Sequence, residues 1–167
     1  MKNRLKRWLY NWRWVLPVAG GVLITRLIFR FDLDDKGSII GSTWAAALGV
    51  SFFLQQQKLA ETTLFRELFT QFNARYEKLH PHLESFLVEQ TDPTPQQLRI
   101  ITDYFNLCAE EYLFYSEGYI HREVWRSWCR GMLQYFTKKP FNSIWLHEMG
   151  TGSYYGLSES VIKRGAA

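Results

Sequence analysis

An uncharged, apolar stretch decides the fold of this chain: SIIGSTWAAALGVSFFL, residues 38–54. A helix rises about 1.5 Å per residue, so these residues extend about 26 Å, close to the thickness of the hydrocarbon core of a bilayer. The composition becomes polar abruptly from Gln55 onwards. Residues 38–54 are therefore predicted to form a membrane-spanning helix.

A second apolar segment, residues 14–31, lies just before this stretch. It contains a proline and a glycine pair, which are unfavourable inside a soluble helix but are tolerated in membrane helices. Arg26 is the costly residue, and it lies about one turn from the end of the segment, where its side chain can reach the interface. The two segments predict a two-helix transmembrane hairpin over residues 14–54.

The positive charge of the chain is concentrated at its N-terminus. Residues 1–13 contain five basic residues and no acidic ones, whereas the whole chain has a net charge of +4. Trp8 and Trp12 share the apolar side of a helix over this segment, which is typical of a basic interfacial arm; a disordered tail is the alternative. Positive charge before a first span favours the cytoplasmic side. Both termini are therefore predicted to be cytoplasmic.

Two other interpretations of this N-terminal third stay open. A cleaved signal peptide has the same order of basic and apolar residues, although here the basic stretch is long and a second apolar segment follows. A hairpin buried in a soluble protein also fits, because both segments are short. The loop Asp32–Gly37 partly matches a calcium-binding loop but has Thr43 where that loop has glutamate, so an acidic turn is predicted.

Small residues recur every fourth position in the second span. They are Gly37, Gly41, Ala45 and Gly49. Such a stripe lets membrane helices approach each other closely. The stripe is predicted to pack either on the first span or on another copy of the protein, and the spacing does not separate these two uses.

Residues 55–167 are predicted to form a cytoplasmic helical domain, which makes the whole chain all-α. Apolar residues keep a 3.6-residue period after the second span, across a kink or short break at Pro81. Thr94 begins the next helix through a Thr-x-x-Gln capping box, with a proline at the first helical position. Gly118 suits the left-handed position just past the end of that helix.

The remaining predicted helices are shorter. One spans about His121 to Thr137 and ends before a Lys-Lys-Pro sequence. Asn142 or Ser143 is predicted to cap a short helix, and a last turn or two follows over about 157–164. The cysteines of the domain lie on separate helices without a metal-binding spacing, which predicts two free thiols.

No motif in the chain predicts catalysis or a cofactor. The four histidines lack the spacing of a zinc site. The pair Glu110-Glu111, with Asp103 and Glu117, could suggest carboxylate catalysis. Positions 103, 110 and 117 share a helix face, which we expect to be solvated or paired with Arg122 and Arg126 rather than catalytic. Beyond residue 13 the chain is nearly neutral, which argues against a nucleic-acid partner.

The domain is rich in aromatic residues at helical spacing, which predicts a core. The functional alternative is a surface that grips a partner peptide or helix. The residues predicted for such a partner surface are Trp125, Trp128 and Trp145.

Several short motifs resemble a family of uncharacterised bacterial proteins with one or two N-terminal transmembrane helices. The motifs cover about residues 65–136. They are Asp103-Tyr104-Phe105-Asn106, Glu110-Glu111-Tyr112, and Glu117-Gly118-Tyr119-Ile120-His121-Arg122-Glu123-Val124-Trp125 with Trp128. The resemblance implies a bacterial or phage, membrane-anchored helical domain of unknown activity, and it supplies no site residues. The predicted membrane is then a bacterial inner membrane.

These observations together predict a membrane-tethered interaction or assembly module without enzymatic activity, bound to the lipid bilayer and to a protein partner or another copy of itself. One alternative is an oligomeric membrane effector or small channel subunit. Another is a membrane-bound enzyme that uses histidine and glutamate side chains in an unrecognised site.

Overall fold

The structure is a computed structural model that describes residues 15–31, 35–88, 93–149 and 152–167. Within these ranges the chain is all-helical and has no strand, which confirms the predicted fold class. The predicted interfacial arm lies outside the described residues, and so do residues 32–34 of the acidic turn that follows the first apolar segment. The described helices are α1 Val15–Arg30, α2 Lys36–Val88, α3 Pro95–Ser116, α4 Arg122–Phe136, α5 Phe141–Glu148 and α6 Glu159–Ala166.

The chain forms two compact units that divide between Thr63 and Leu64, within α2. In the first unit, α1 and the beginning of α2 meet at Gly21. A Cβ atom added to this glycine would lie 3.6 Å from the Trp44 ring and 3.7 Å from the Ala47 Cβ, so the small residue permits the close approach of the two helices.

One helix in the described part of the chain, α2, is long and apolar enough to cross a membrane. The two-span hairpin is therefore not shown by the structure, which has only this one long apolar helix. The described part of the first segment, α1, has 16 residues and extends about 24 Å, shorter than a typical span of about 20 residues.

The second unit contains the rest of α2 and all later helices. The predicted short break at Pro81 is absent, because α2 stays helical from Lys36 to Val88. Leu83 and Phe86, on the far side of the proline, are both buried in the core. We attribute the continuity of the helix to this packing, which offsets the hydrogen bond that the proline removes.

Both ends of α3 follow the sequence prediction. The Thr94 hydroxyl accepts a hydrogen bond from the Gln97 backbone N–H at 3.3 Å, and the Gln97 side chain accepts one from the Thr94 N–H at 2.8 Å. At the other end Gly118 has a φ of 85°, and the Tyr119 N–H donates to the Phe114 carbonyl at 3.0 Å. The rings of Phe114 and Tyr119 are in contact across this turn, as expected for a glycine-terminated helix.

The C-terminal helices close the core. The helix α5 begins at Phe141, after Pro140, rather than after a cap from Asn142 or Ser143. Asn142 instead donates a side-chain hydrogen bond to the Phe136 carbonyl at 3.1 Å, which ties the start of α5 to the end of α4. The last helix, α6, packs closely on α4 at Gly165, where an added Cβ atom would lie 2.7 Å from the Trp125 Nε1 atom.

Candidate functional site

The polar groups of the second unit gather where α2, α3 and α4 face each other. Arg75 on α2 forms a two-pronged ion pair with Glu110 on α3, in which Arg75 Nη2 donates to Glu110 Oε1 at 3.1 Å. Both side chains are about one-third exposed. Glu110, on the face that we expected to be solvated or paired with arginines of α4, is instead paired with Arg75 of α2.

Glu111, the next residue, is the one buried charged or polar residue among those the structure describes, with 6% of its surface exposed. No hydrogen bond or ion pair reaches its carboxyl group from the described part of the chain. Loss of hydration raises the pKa of Glu111 to about 8; the charge of Arg75 lowers it in part, and the charge of Glu110 raises it. At neutral pH this side chain is therefore mainly an uncharged acid.

A cavity of about 170 Å³ opens beside Glu111, between α2, α3 and α4. Three aromatic rings contribute to its wall, those of Tyr76, Tyr104 and Trp128. The amide of Asn73 and the hydroxyl of Ser127 add polar groups. Its lining contains no lysine or arginine. The lining of the cavity therefore combines the carboxyl group of Glu111 with aromatic rings and a few neutral polar groups.

A hydrogen-bonded group of side chains continues from Tyr76. The Tyr135 hydroxyl donates to Glu84 Oε1 at 2.8 Å and lies 3.1 Å from His80 Nδ1. Tyr76 Oη is 3.2 Å from the same His80 nitrogen. Burial raises the pKa of Tyr135, and its hydrogen bonds with Tyr76 and Glu84 raise it further, so the phenol remains protonated. This group connects α2 to α4 next to the cavity.

A second, wider cleft lies on the surface nearby and has a volume of about 460 Å³. Its charged lining residues are Arg75, Lys78, Asp103 and Glu110. Because both signs of charge alternate around it and Arg75 is already paired, the cleft favours neither an anion nor a cation.

The tryptophans predicted for a partner surface do not lie together on the surface. Trp125 and Trp145 are each 2% exposed and belong to the core, so burial excludes them from such a surface in this structure. Trp128 is half-buried, with its ring 6.1 Å from that of Phe69 and 5.9 Å from that of Phe72. Trp125 and Trp145 are therefore core residues. Of the three tryptophans, only Trp128 has part of its side chain accessible to a partner.

The glycine stripe of α2 makes no contact with α1. A Cβ atom added to Gly37, Gly41 or Gly49 would meet no atom within 4 Å, and Ala45 is exposed. The helices meet instead at Gly21, on the other segment. Of the two predicted uses of the stripe, packing on the first span is thus not what the structure shows.

The histidines are dispersed, and no group of three or more metal-ligating side chains occurs among the described residues. His80 belongs to the tyrosine group described above, and the ring of His121 packs 4.4 Å from that of Phe65.

Comparisons with protein-family models, with curated proteins and with solved structures find no match to this chain. The resemblance to membrane-anchored bacterial proteins stays a prediction. The site is consequently defined by its own geometry.

Glu111 allows a test of this geometry through the pH dependence of stability. Its pKa is raised from 4.5 to about 8, so between these values the unfolded chain is ionised while the folded chain retains the proton. The free energy of unfolding should fall by on the order of 5 kcal/mol as pH rises from about 4.5 to about 8, and level off above. Glu111→Gln should remove this dependence and stabilise the protein at pH 8.

The measurement is the urea midpoint of the full chain in an uncharged detergent, from pH 5 to pH 9. Glu117→Gln is the matched control, since Glu117 is an exposed glutamate just past the end of the same helix. A Glu111→Gln variant that keeps the slope of the unaltered protein would show that Glu111 is ionised in the folded state.

Proposed function

We propose that this protein is a membrane-tethered helical module of the bacterial inner membrane that acts by binding rather than by catalysis. The proposal rests on one observation: the two units differ in whether their large apolar side chains are exposed or buried. In the first unit large apolar side chains point outward, whereas in the second unit they fill a core.

The exposed apolar residues lie on both helices of the first unit. Along the apolar part of α2, Leu48 and Phe52 are 63% and 64% exposed. On α1 the outward-facing residues include Leu16, Leu23, Leu27 and Phe29. Apolar surface of this extent is unfavourable in water and favourable in hydrocarbon, so a lipid bilayer is the environment that suits this unit. With α1 as a second, short span, the unit would form the predicted hairpin.

Membrane extraction tests the tether. We expect the full chain to remain in the membrane fraction after washing with high salt and with alkaline carbonate. The variant Leu48→Lys should reduce this retention, because Leu48 lies near the middle of the predicted span, where a charged side chain costs about 2.5–3.5 kcal/mol.

Val88→Lys is the matched control, because Val88 is also an exposed apolar residue of the same helix (82% exposed) but lies outside the predicted span, in the second unit. It should remain fully membrane-bound. Release of the unaltered protein by salt alone would contradict the tether.

The basic N-terminal segment favours an orientation in which both termini are cytoplasmic. Asp35→Cys, between the two helices, should react with a membrane-impermeant maleimide in intact cells, whereas Leu146→Cys should react only after lysis. Both positions are exposed. The native cysteines are buried, so they can be retained. Labelling of Leu146→Cys but not of Asp35→Cys in intact cells would indicate the reverse orientation.

The uncovered glycine stripe favours a second candidate, an oligomeric membrane effector. Because no atom of the described residues lies within 4 Å of a Cβ added to Gly41, and Ala45 is exposed, another copy of α2 is the partner that would use them. Gly41→Leu/Ala45→Leu should reduce chemical cross-linking into dimers or larger species in membranes several-fold. Ala46→Leu/Val50→Leu alters another exposed face of the same helix and should leave the cross-linking unchanged. Equal cross-linking of both variants would assign the stripe to lipid contact.

A further inference from the structure

The cavity is lined by Glu111, the one buried charged residue among those the structure describes, and no hydrogen bond or ion pair from the described residues reaches its carboxyl group. Burying an acid in apolar surroundings is unfavourable unless something compensates it. The nearest positive charge, Arg75, is committed to Glu110. The opening next to Glu111 is where a compensating group could be accommodated.

We propose that this cavity binds a small organic cation of the alkylammonium class, with Glu111 as its counter-ion and with Tyr76, Tyr104 and Trp128 as aromatic walls. The site lies wholly within the second unit and does not depend on the membrane tether. It adds a ligand to the proposed binding module.

The charge of the lining selects a cation. Glu111 is the only residue of the lining that can carry a full charge at neutral pH, and that charge is negative. The carbonyl oxygen of Asn73 and the hydroxyl of Ser127 can accept hydrogen bonds from an ammonium N–H. An anion would meet an acid and no positive side chain, so it is disfavoured.

The aromatic wall selects an organic cation over a metal ion. Aromatic rings attract alkylammonium groups through their π faces, and such groups lose less hydration than a bare ion does. A metal ion would require several oxygen or nitrogen ligands, and no such group occurs among the described residues. The tyrosines and the tryptophan therefore fit a cation that also presents carbon surface.

The size of the cavity sets the size of the ligand. One water molecule occupies about 30 Å³ in the liquid, so a cavity of about 170 Å³ has room for about five or six non-hydrogen atoms. Propylammonium, with four, and tetramethylammonium, with five, are within this limit. The cavity is partly open to solvent, so a ligand can enter without unfolding the domain.

Binding is coupled to a proton. Glu111 is about 90% protonated at pH 7 because its pKa is about 8, and a bound cation stabilises the ionised form. One proton is therefore released from the carboxyl group when the ammonium binds, and the ammonium keeps its own. The other ionisable groups around Glu111 are Arg75 on α2, the α3 groups Tyr104, Cys108 and Glu110, and Cys129 on α4.

Four of those neighbours, Tyr104, Cys108, Cys129 and Arg75, do not titrate in the same range. Burial raises the pKa of Tyr104 and of Cys108, and it raises the pKa of Cys129 to about 12. Arg75 stays charged because its hydrogen bond with Glu110 raises its pKa. Affinity for the cation should consequently rise nearly tenfold per pH unit up to about pH 8 and level off above, as Glu111 alone would dictate.

Isothermal titration calorimetry of the full chain in dodecyl maltoside, an uncharged detergent without a choline group, tests the proposal. The probes are propylammonium, tetramethylammonium and 1-propanol, the last as a neutral match for propylammonium. Both cations should bind at least tenfold more tightly than propanol. Titrations at pH 7 in two buffers of different ionisation enthalpy should show release of about one proton.

Variants separate the ligand site from general stability. Glu111→Gln should abolish proton release and weaken propylammonium binding at least tenfold, while Glu117→Gln should leave both unchanged. Gly131→Leu should also block binding, because Gly131 lines the cavity and has no atom within 4 Å of an added Cβ. Thermal denaturation checks that each variant is folded.

Any one of three results would overturn the proposal. The first is equal affinity for propanol and propylammonium, the second is equal affinity of Glu111→Gln and the unaltered protein for propylammonium, and the third is no binding of any cation at 50-fold excess over about 1 mM protein.

The natural ammonium group could belong to a free amine or to a lipid headgroup. Nanodiscs with and without phosphatidylethanolamine distinguish these sources: a lower apparent affinity for propylammonium in the presence of that lipid identifies the headgroup as the occupant, and equal affinity identifies a free amine.

Discussion

The core of the second unit depends on the aromatic contacts of Phe105. Its fully buried ring lies 4.9 Å from that of Trp145 on α5 and 5.2 Å from that of Phe136 on α4. Trp145 in turn contacts Tyr154 at 5.0 Å, which brings the segment before α6 onto the same centre. Burial of each such ring contributes about 1.5–3 kcal/mol, and the stacking geometry adds to this. A domain of about 100 residues with short helices needs this density of aromatic contacts, because single short helices are marginal in water.

Local sequence signals predicted the helices well where a specific side chain fixes the backbone. Thr94 and Gly118 bound α3 as expected, since a capping box and a left-handed glycine act within one turn. The start of α5 was mispredicted, because Asn142 uses its side chain on the carbonyl of Phe136, in another helix. Interactions across helices override a local preference, and sequence spacing alone does not contain them.

The site was less accessible to sequence reasoning for the same reason. Glu110 was assigned to a face that is solvated or paired with arginines of α4, yet Arg75, thirty-five positions earlier, pairs with it. Glu111 was weighed only together with Glu110 as a possible catalytic carboxylate, although one signal of its burial was present: it falls one turn after Leu107 and Cys108, on the buried side of α3. An acid at a position of the apolar stripe is unusual and marks a site worth locating in three dimensions. The cavity beside it depends on three helices and could not be derived from spacing.

A buried acid lowers the free energy of unfolding of a small domain, so its presence calls for an explanation other than stability. Glutamine has nearly the shape of Glu111 and would avoid the cost of keeping a proton on the acid at neutral pH. The Arg75–Glu110 pair next to it shows that the domain can neutralise an acid where neutralisation is all that is required. The residue that remains unpaired is the one that faces the cavity. Local features that lower stability are concentrated at sites of function, because there the cost is recovered on binding. The position of Glu111, rather than its burial alone, is what connects the fold of this domain to a ligand.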